Sequence, residues 1–116
     1  LAFSFTSNEL GDIVREKAED GLTVKGVMDE EQVASNQGTE YDPFKQADLD
    51  VRIDGIAGQM HHKVFIVDGS IVVIGSYNFS QAAETRNDEN TLIIYNEAIA
   101  QQFMLEFERV WKVAHD

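Results

Sequence analysis

His61-His62-Lys63-Val64-Phe65-Ile66-Val67-Asp68-Gly69-Ser70-Ile71-Val72-Val73-Ile74-Gly75-Ser76-Tyr77-Asn78 is the stretch that decides the fold. Met60 to Val67 and Ile71 to Ile74 are β-branched runs joined around Asp68-Gly69, which predicts a β-hairpin. Along an extended chain successive side chains point to opposite faces. His61 and Lys63 therefore share a face, and His62 looks the other way. Ser76 and Asn78 share a face by the same parity where the chain stays extended. An imidazole, an ammonium group and two hydrogen-bonding side chains are thus expected to converge on one phosphate-sized spot.

Working outward, Leu1 to Phe5 alternates large apolar with small residues, as a strand packed on one face does. Thr6 and Glu9 have capping-box spacing and predict the start of a helix carrying Leu10, Ile13, Val14 and Ala18, with its stop at Gly21. Leu22 to Met28 reads as the next strand, so strand, helix and strand suggest a βαβ unit with parallel pairing. Asp29 to Gly38 is polar and acidic and reads as irregular or weakly helical. Thr39 to Ala47, with the only proline, Pro43, reads as a short helix, and Leu49 to Ile53 as a short strand. Gly55 to Gly58 is a flexible link. Thr91 to Tyr95 is a further strand. A final helix from about Glu97 to Ala114 carries Ile99, Phe103, Phe107, Val110, Trp111 and Ala114 as one apolar stripe that docks on the sheet. The fold class is α/β with a mixed sheet, in one domain over residues 1–116.

Net charge bears on partners. Twenty-one acidic residues against nine basic give −12, and a strongly negative domain repels phosphate backbones unless a local basic groove overrides the field. Near the hairpin only Lys63 and Arg86 are cationic. No apolar run approaches the roughly 20 residues that span a bilayer, so no integral membrane segment is expected. The chain has no cysteine, which excludes disulfides and thiolate metal sites. It opens on Leu1 rather than methionine, and an excised C-terminal piece is the expectation.

The hairpin constellation suits phosphoryl transfer without a metal or other cofactor. An imidazole attacks phosphorus and is later displaced by water. Lys63 neutralises the non-bridging oxygens, and Ser76 and Asn78 add oriented donors. Glu89 is the candidate acceptor for the second ring N–H of His61, which makes His61, Lys63 and Glu89 the expected catalytic residues. Lys63, Ser76 and Asn78 are the expected phosphate ligands. Asp68, at the turn, and Gly75 have structural roles in the motif. Carboxylates and histidines nowhere recur at metal-ligand spacing. His62 is expected to pack or meet solvent on the far face, and His115, near the C-terminus, to be disordered or exposed.

His61-x-Lys63, four residues, Asp68, six residues, Gly75-Ser76-x-Asn78 resembles the signature motif of the phospholipase D superfamily. The continuation Phe79 to Asn90 looks like the small bacterial single-motif endonucleases of that superfamily. The chain is also similar to the C-terminal half of two-motif bacterial phospholipase D-like proteins. The resemblance implies a phospholipase D-like half-domain, a mixed sheet flanked by helices, with a strand and helix that normally precede this point. It implies a two-step reaction through a phosphohistidine, with two motifs meeting at a pseudo-twofold axis. One histidine attacks while the other protonates the leaving group. The second motif comes from an upstream half or from a homodimer partner, and His61's role as nucleophile or general acid depends on which.

Three functions follow as expectations. The first is hydrolysis or transphosphatidylation of a phospholipid-like diester. The second is a metal-independent nuclease, favoured by local similarity and opposed by charge. The third is a non-catalytic interaction module that kept the fold, and the intact histidine, lysine and asparagine positions argue against it.

Overall fold

In a computed structural model describing all 116 residues, the hairpin forms where the alternation places it. β3 (Val64–Val67) and β4 (Ile71–Gly75) pair antiparallel, with Val64 opposite Ile74. Asp68 and Gly69 have φ of 55° and 63°, the signs that a type I′ turn requires. The turn is closed by Ser70 N–H donating to the Val67 carbonyl at 3.1 Å. β5 (Thr91–Tyr95) continues the sheet antiparallel to β4.

α5 (Glu97–Val113) then folds back over this sheet. Its start is fixed by Asn96, whose side chain accepts from Ile99 N–H at 2.9 Å. Val64, Val72 and Ala100 form the buried contact, with Ile66, Ile74, Ile94 and Phe103 around it. The expected stripe needs one correction. Ile99 is 40% exposed while Ala100 is fully buried, because the close approach of helix and sheet admits only a small side chain there. Farther along, Val110 buries with Val27 and Met60, and Trp111 packs against that cluster. The Arg52 guanidinium lies 3.9 Å from the Trp111 ring centre.

The other half of the domain is parallel. β1 (Lys25–Met28) and β2 (Asp50–Ile53) pair in register, Gly26 opposite Val51. α1 (Asn8–Glu19) precedes them and stops ahead of Gly21, whose φ is 100°. Its cap is Ser7, accepting from Leu10 N–H, not the Thr6–Glu9 box that the spacing suggested. Between β1 and β2 run α2 (Glu30–Ser35) and α3 (Tyr41–Gln46). α2 is a formed helix where irregular chain was also expected, because the buried Asp29 side chain caps it through Gln32 N–H at 3.1 Å. His115 is exposed, as expected, but ordered, since its backbone exchanges two hydrogen bonds with Ile53.

Leu1 to Phe5, expected as a strand, makes no regular ladder of its own but joins the two halves. Ala2 donates to Val27 and accepts from Asp29, while Leu1 accepts from Val64 and Phe3 donates to His62 at 2.8 Å. The segment thus runs parallel to β1 and antiparallel to the approach to β3. Phe5 anchors it in the core beside Phe44, Phe65 and Phe79, with ring centres 5.1–6.4 Å away.

Gly75 closes the β4–β5 hairpin against a neighbouring backbone. A Cβ built there would stand 2.1 Å from the Asn90 carbonyl oxygen, whereas one at Gly58 would meet nothing within 4 Å. Gly75→Ala is therefore expected to cost about 1–3 kcal/mol in denaturant unfolding. Gly58→Ala is expected to stay within about 0.5 kcal/mol; equal effects at the two sites would contradict this packing.

Candidate functional site

His61 and Lys63 sit just ahead of β3, where the chain is held from three directions. Met60 N–H donates to the buried Asp29 carboxylate at 2.9 Å, Phe3 N–H to the His62 carbonyl, and Val64 N–H to the Leu1 carbonyl. The parity argument for this segment is realised in the side chains. Lys63 Nζ lies 3.2 Å from His61 Nδ1 and 3.5 Å from Nε2, and it donates to the His61 carbonyl at 3.0 Å. Both rest on Phe3. Its ring centre is 4.4 Å from the imidazole and 5.2 Å from the ammonium group. Phe3 is a site residue that the sequence reading passed over as one side of a strand, and its alternation with the buried Ala2 was the only available signal.

Burial against this apolar platform pushes the Lys63 pKa down, and the charge of Glu89 partly restores it. The ammonium is thus incompletely solvated, a condition in which an added anion gains most from contact with it.

Glu89 is not on His61, contrary to expectation. It accepts from the Ser76 hydroxyl at 2.7 Å and from the Asn87 amide at 3.5 Å. The cause is the hairpin closure: Ser76 N–H donates to the Asn90 carbonyl, and Asn90 N–H donates back to Ser76 Oγ at 3.1 Å. That exchange brings the residue before Asn90 onto Ser76. The Ser76 hydroxyl is consequently occupied by Glu89 and Asn90 rather than free for a phosphate.

Asn78 lies in the loop between β4 and α4 (Gln81–Thr85), which docks on the N-terminal segment through Phe79 N–H to the Ser4 carbonyl. Asn78 makes no hydrogen bond to His61 or Lys63, but its Oδ1 is buried without any partner. Such an orphan costs about 1–3 kcal/mol where no water reaches it. The donor end of the amide, Nδ2, is not shut off from solvent and suits a phosphate oxygen. Beside it, Tyr77 donates to Glu84 at 2.8 Å, and burial followed by that carboxylate pushes its pKa up to about 12. Asp68 and Gly75 stay at the turn and the hairpin closure, and Arg86 is exposed at the end of α4.

Next to Lys63 the surface opens into a groove of about 310 Å³ lined by Leu10, Phe65, Val73, Tyr77 and Phe79. No three of the chain's histidine, aspartate and glutamate side chains come together in a way that suits a metal ion. No helix is long and apolar enough to cross a membrane.

The family model described as cardiolipin synthase, phospholipase D-like domain, matches residues 1–111. The chain is 35% identical over 109 residues to a mitochondrial cardiolipin hydrolase of Chlamydomonas reinhardtii, covering 94% of this chain and 48% of that protein. To the human mitochondrial cardiolipin hydrolase it is 36% identical over 110 residues, covering 95% and 43%. The chain therefore spans about half the length of these curated relatives. Among solved structures it is similar to Nuc of Salmonella typhimurium, a phospholipase D family member. That match has a TM-score of 0.91 and 30% identity, over 99% of this chain and 77% of that one. NucT of Helicobacter pylori shares the fold, with a TM-score of 0.92 at 22% identity.

The opposed influences on Lys63 give a test independent of turnover. Followed by NMR, its side-chain titration is expected below the ordinary 10.5, and lower again in Glu89→Gln, where the supporting charge is gone. A midpoint that rises in the variant would contradict the assigned causes.

Proposed function

The chain belongs to the phospholipase D-like domain family, and from that premise we propose that it hydrolyses phosphodiesters through a phosphohistidine, with His61 as one of the two imidazoles required. The observation that carries this reading is the Lys63 ammonium 3.2 Å from His61 Nδ1, on a shared aromatic platform.

In the first step one imidazole nitrogen attacks phosphorus. An N–P bond forms, the P–O bond to the leaving group breaks, and the second imidazole gives its proton to the departing oxygen. Water then attacks phosphorus and the N–P bond breaks, with the second imidazole now taking the proton. Where an alcohol replaces water, the result is transphosphatidylation. Lys63 and Asn78 Nδ2 hold the non-bridging oxygens as charge accumulates there. Ser76 joins them only by releasing Glu89, so Glu89 acts on the site through its charge on Lys63 and its hold on Ser76. An ammonium group beside the imidazole is a poor neighbour for a divalent cation, which favours the metal-independent route.

The chain carries one motif, so the second imidazole comes from another half or from a second copy. A phospholipid-like diester is the substrate that the surroundings favour. The groove beside Lys63 is apolar, the net charge of −12 opposes a polyanionic duplex, and the curated relatives named above are cardiolipin hydrolases.

The active assembly is expected to hydrolyse a chromogenic diester at the same rate with and without chelator. His61→Ala is expected to lower kcat by at least about 10²–10⁴-fold. Wild-type turnover in that variant would remove His61 from the mechanism. Offered cardiolipin-containing vesicles and plasmid DNA side by side, the assembly is expected to act on the vesicles; cleavage of DNA alone would overturn the substrate class.

A further inference from the structure

We propose that His62, Glu106 and Arg109 form a clamp that aims the neighbouring His61 imidazole, making His62 a positioning residue for the reaction. The inference rests on the catalytic reading of His61 given above.

Residues 61–63 lie outside the regular ladder of the sheet, so their orientation has to come from elsewhere. Backbone bonds at Met60, His62 and Val64 set the path of this segment, and the one made by residues 61–63 themselves runs from Phe3 N–H to the His62 carbonyl. The His62 side chain, projecting away from His61, supplies a second point. Its Nε2 lies 2.9 Å from Glu106 Oε1 on α5. That carboxylate is itself fixed by Arg109, which donates Nε to Oε2 and Nη2 to Oε1, each at 2.8 Å. Such a two-bond fork, one helical turn away, leaves the acceptor little freedom. Phe107 and Val110, both buried, tie this part of the helix to the core.

Arg109 first and His62 second hold the Glu106 pKa down at about 2, so the acceptor stays charged wherever the enzyme works. The geometry then acts as a lever. Adjacent side chains on extended chain diverge, so a roll that frees His62 from Glu106 swings His61 off Phe3 and away from Lys63. His62 and Glu106 are 37% and 31% exposed, so the contact contributes little to folding and its removal leaves no buried charge unpaired. What it contributes is direction.

Misplacing a reacting group by about 1 Å can cost on the order of 10²-fold in rate. In the active assembly with a chromogenic diester, His62→Ala and Glu106→Ala are each expected to lower kcat about tenfold, with KM changed less than about twofold. The double variant is expected to be no slower than either single one, because both remove the same contact. His62→Gln, whose Nε2 can still donate to Glu106, is expected to recover most of the rate. The His61 ring proton shifts, displaced by Phe3, are expected to relax towards free-histidine values in His62→Ala and not in His62→Gln.

Wild-type kcat in His62→Ala, multiplying losses in the double variant, or His61 shifts unmoved in His62→Ala would each overturn the clamp. His61→Ala, assayed alongside, separates the two readings. If it is inactive while His62→Ala is fully active, only the clamp fails; if it retains full activity, the catalytic reading fails first.

Discussion

The architecture depends on three residues, Leu1 to Phe3, whose backbone groups are divided between two partners. Leu1 to Phe3 gives its N–H and C=O groups alternately to β1 and the adjoining Asp29 on one side and to the approach to β3 on the other, while the Ser4 and Phe5 carbonyls accept from Phe79 and Glu40. Buried backbone groups must be paired, so this alternation obliges a parallel half and an antiparallel half to share one seam. The site lies on the seam. Phe3, whose N–H holds the His62 carbonyl, also puts its ring under His61 and Lys63. Backbone pairing and side-chain chemistry are therefore one constraint, and a shift of the seam would displace both functional groups together.

Electrostatics at the site run against the character of the whole chain. The domain is strongly acidic, yet the groups around His61 are arranged so that the nearest full charge is positive. Acidic side chains close to the site are each committed to a partner: Asp29 to Met60 and Gln32, Glu89 to Ser76, Glu106 to Arg109 and His62. Hydrogen bonding fixes where these carboxylates point, and Glu89 still reaches Lys63 through its charge.

The hairpin, the parity of His61 and Lys63, and the helices α1, α3 and α5 were legible because each rests on local periodicity or turn chemistry, whereas α4 and the isolated bridges of Leu1 to Phe5 were not. Asp68-Gly69 needed only its own φ preferences, and Val64 to Val67 only its β-branched run. What escaped the sequence were contacts between segments distant along the chain. Nothing local shows that Phe3 lies under residue 61, that Asp29 holds Met60, or that His62 finds Glu106. The placement of Glu89 on His61 came from matching a carboxylate to an imidazole by type. The β4–β5 closure, a long-range register, delivers it to Ser76 instead. At the start of α1, Thr6 and Ser7 both suit a cap, and the helix's own first turn selects Ser7.

The central claim is that one oxyanion is held jointly by His61, Lys63 and Asn78. The most direct measurement is a crystal structure of the active assembly with vanadate or tungstate. The account predicts a single oxyanion within hydrogen-bonding distance of the His61 ring, of Lys63 Nζ and of the Asn78 amide, with that amide no longer unpaired. An oxyanion bound away from His61, or one that leaves Lys63 and Asn78 on opposite sides of the chain, would contradict it.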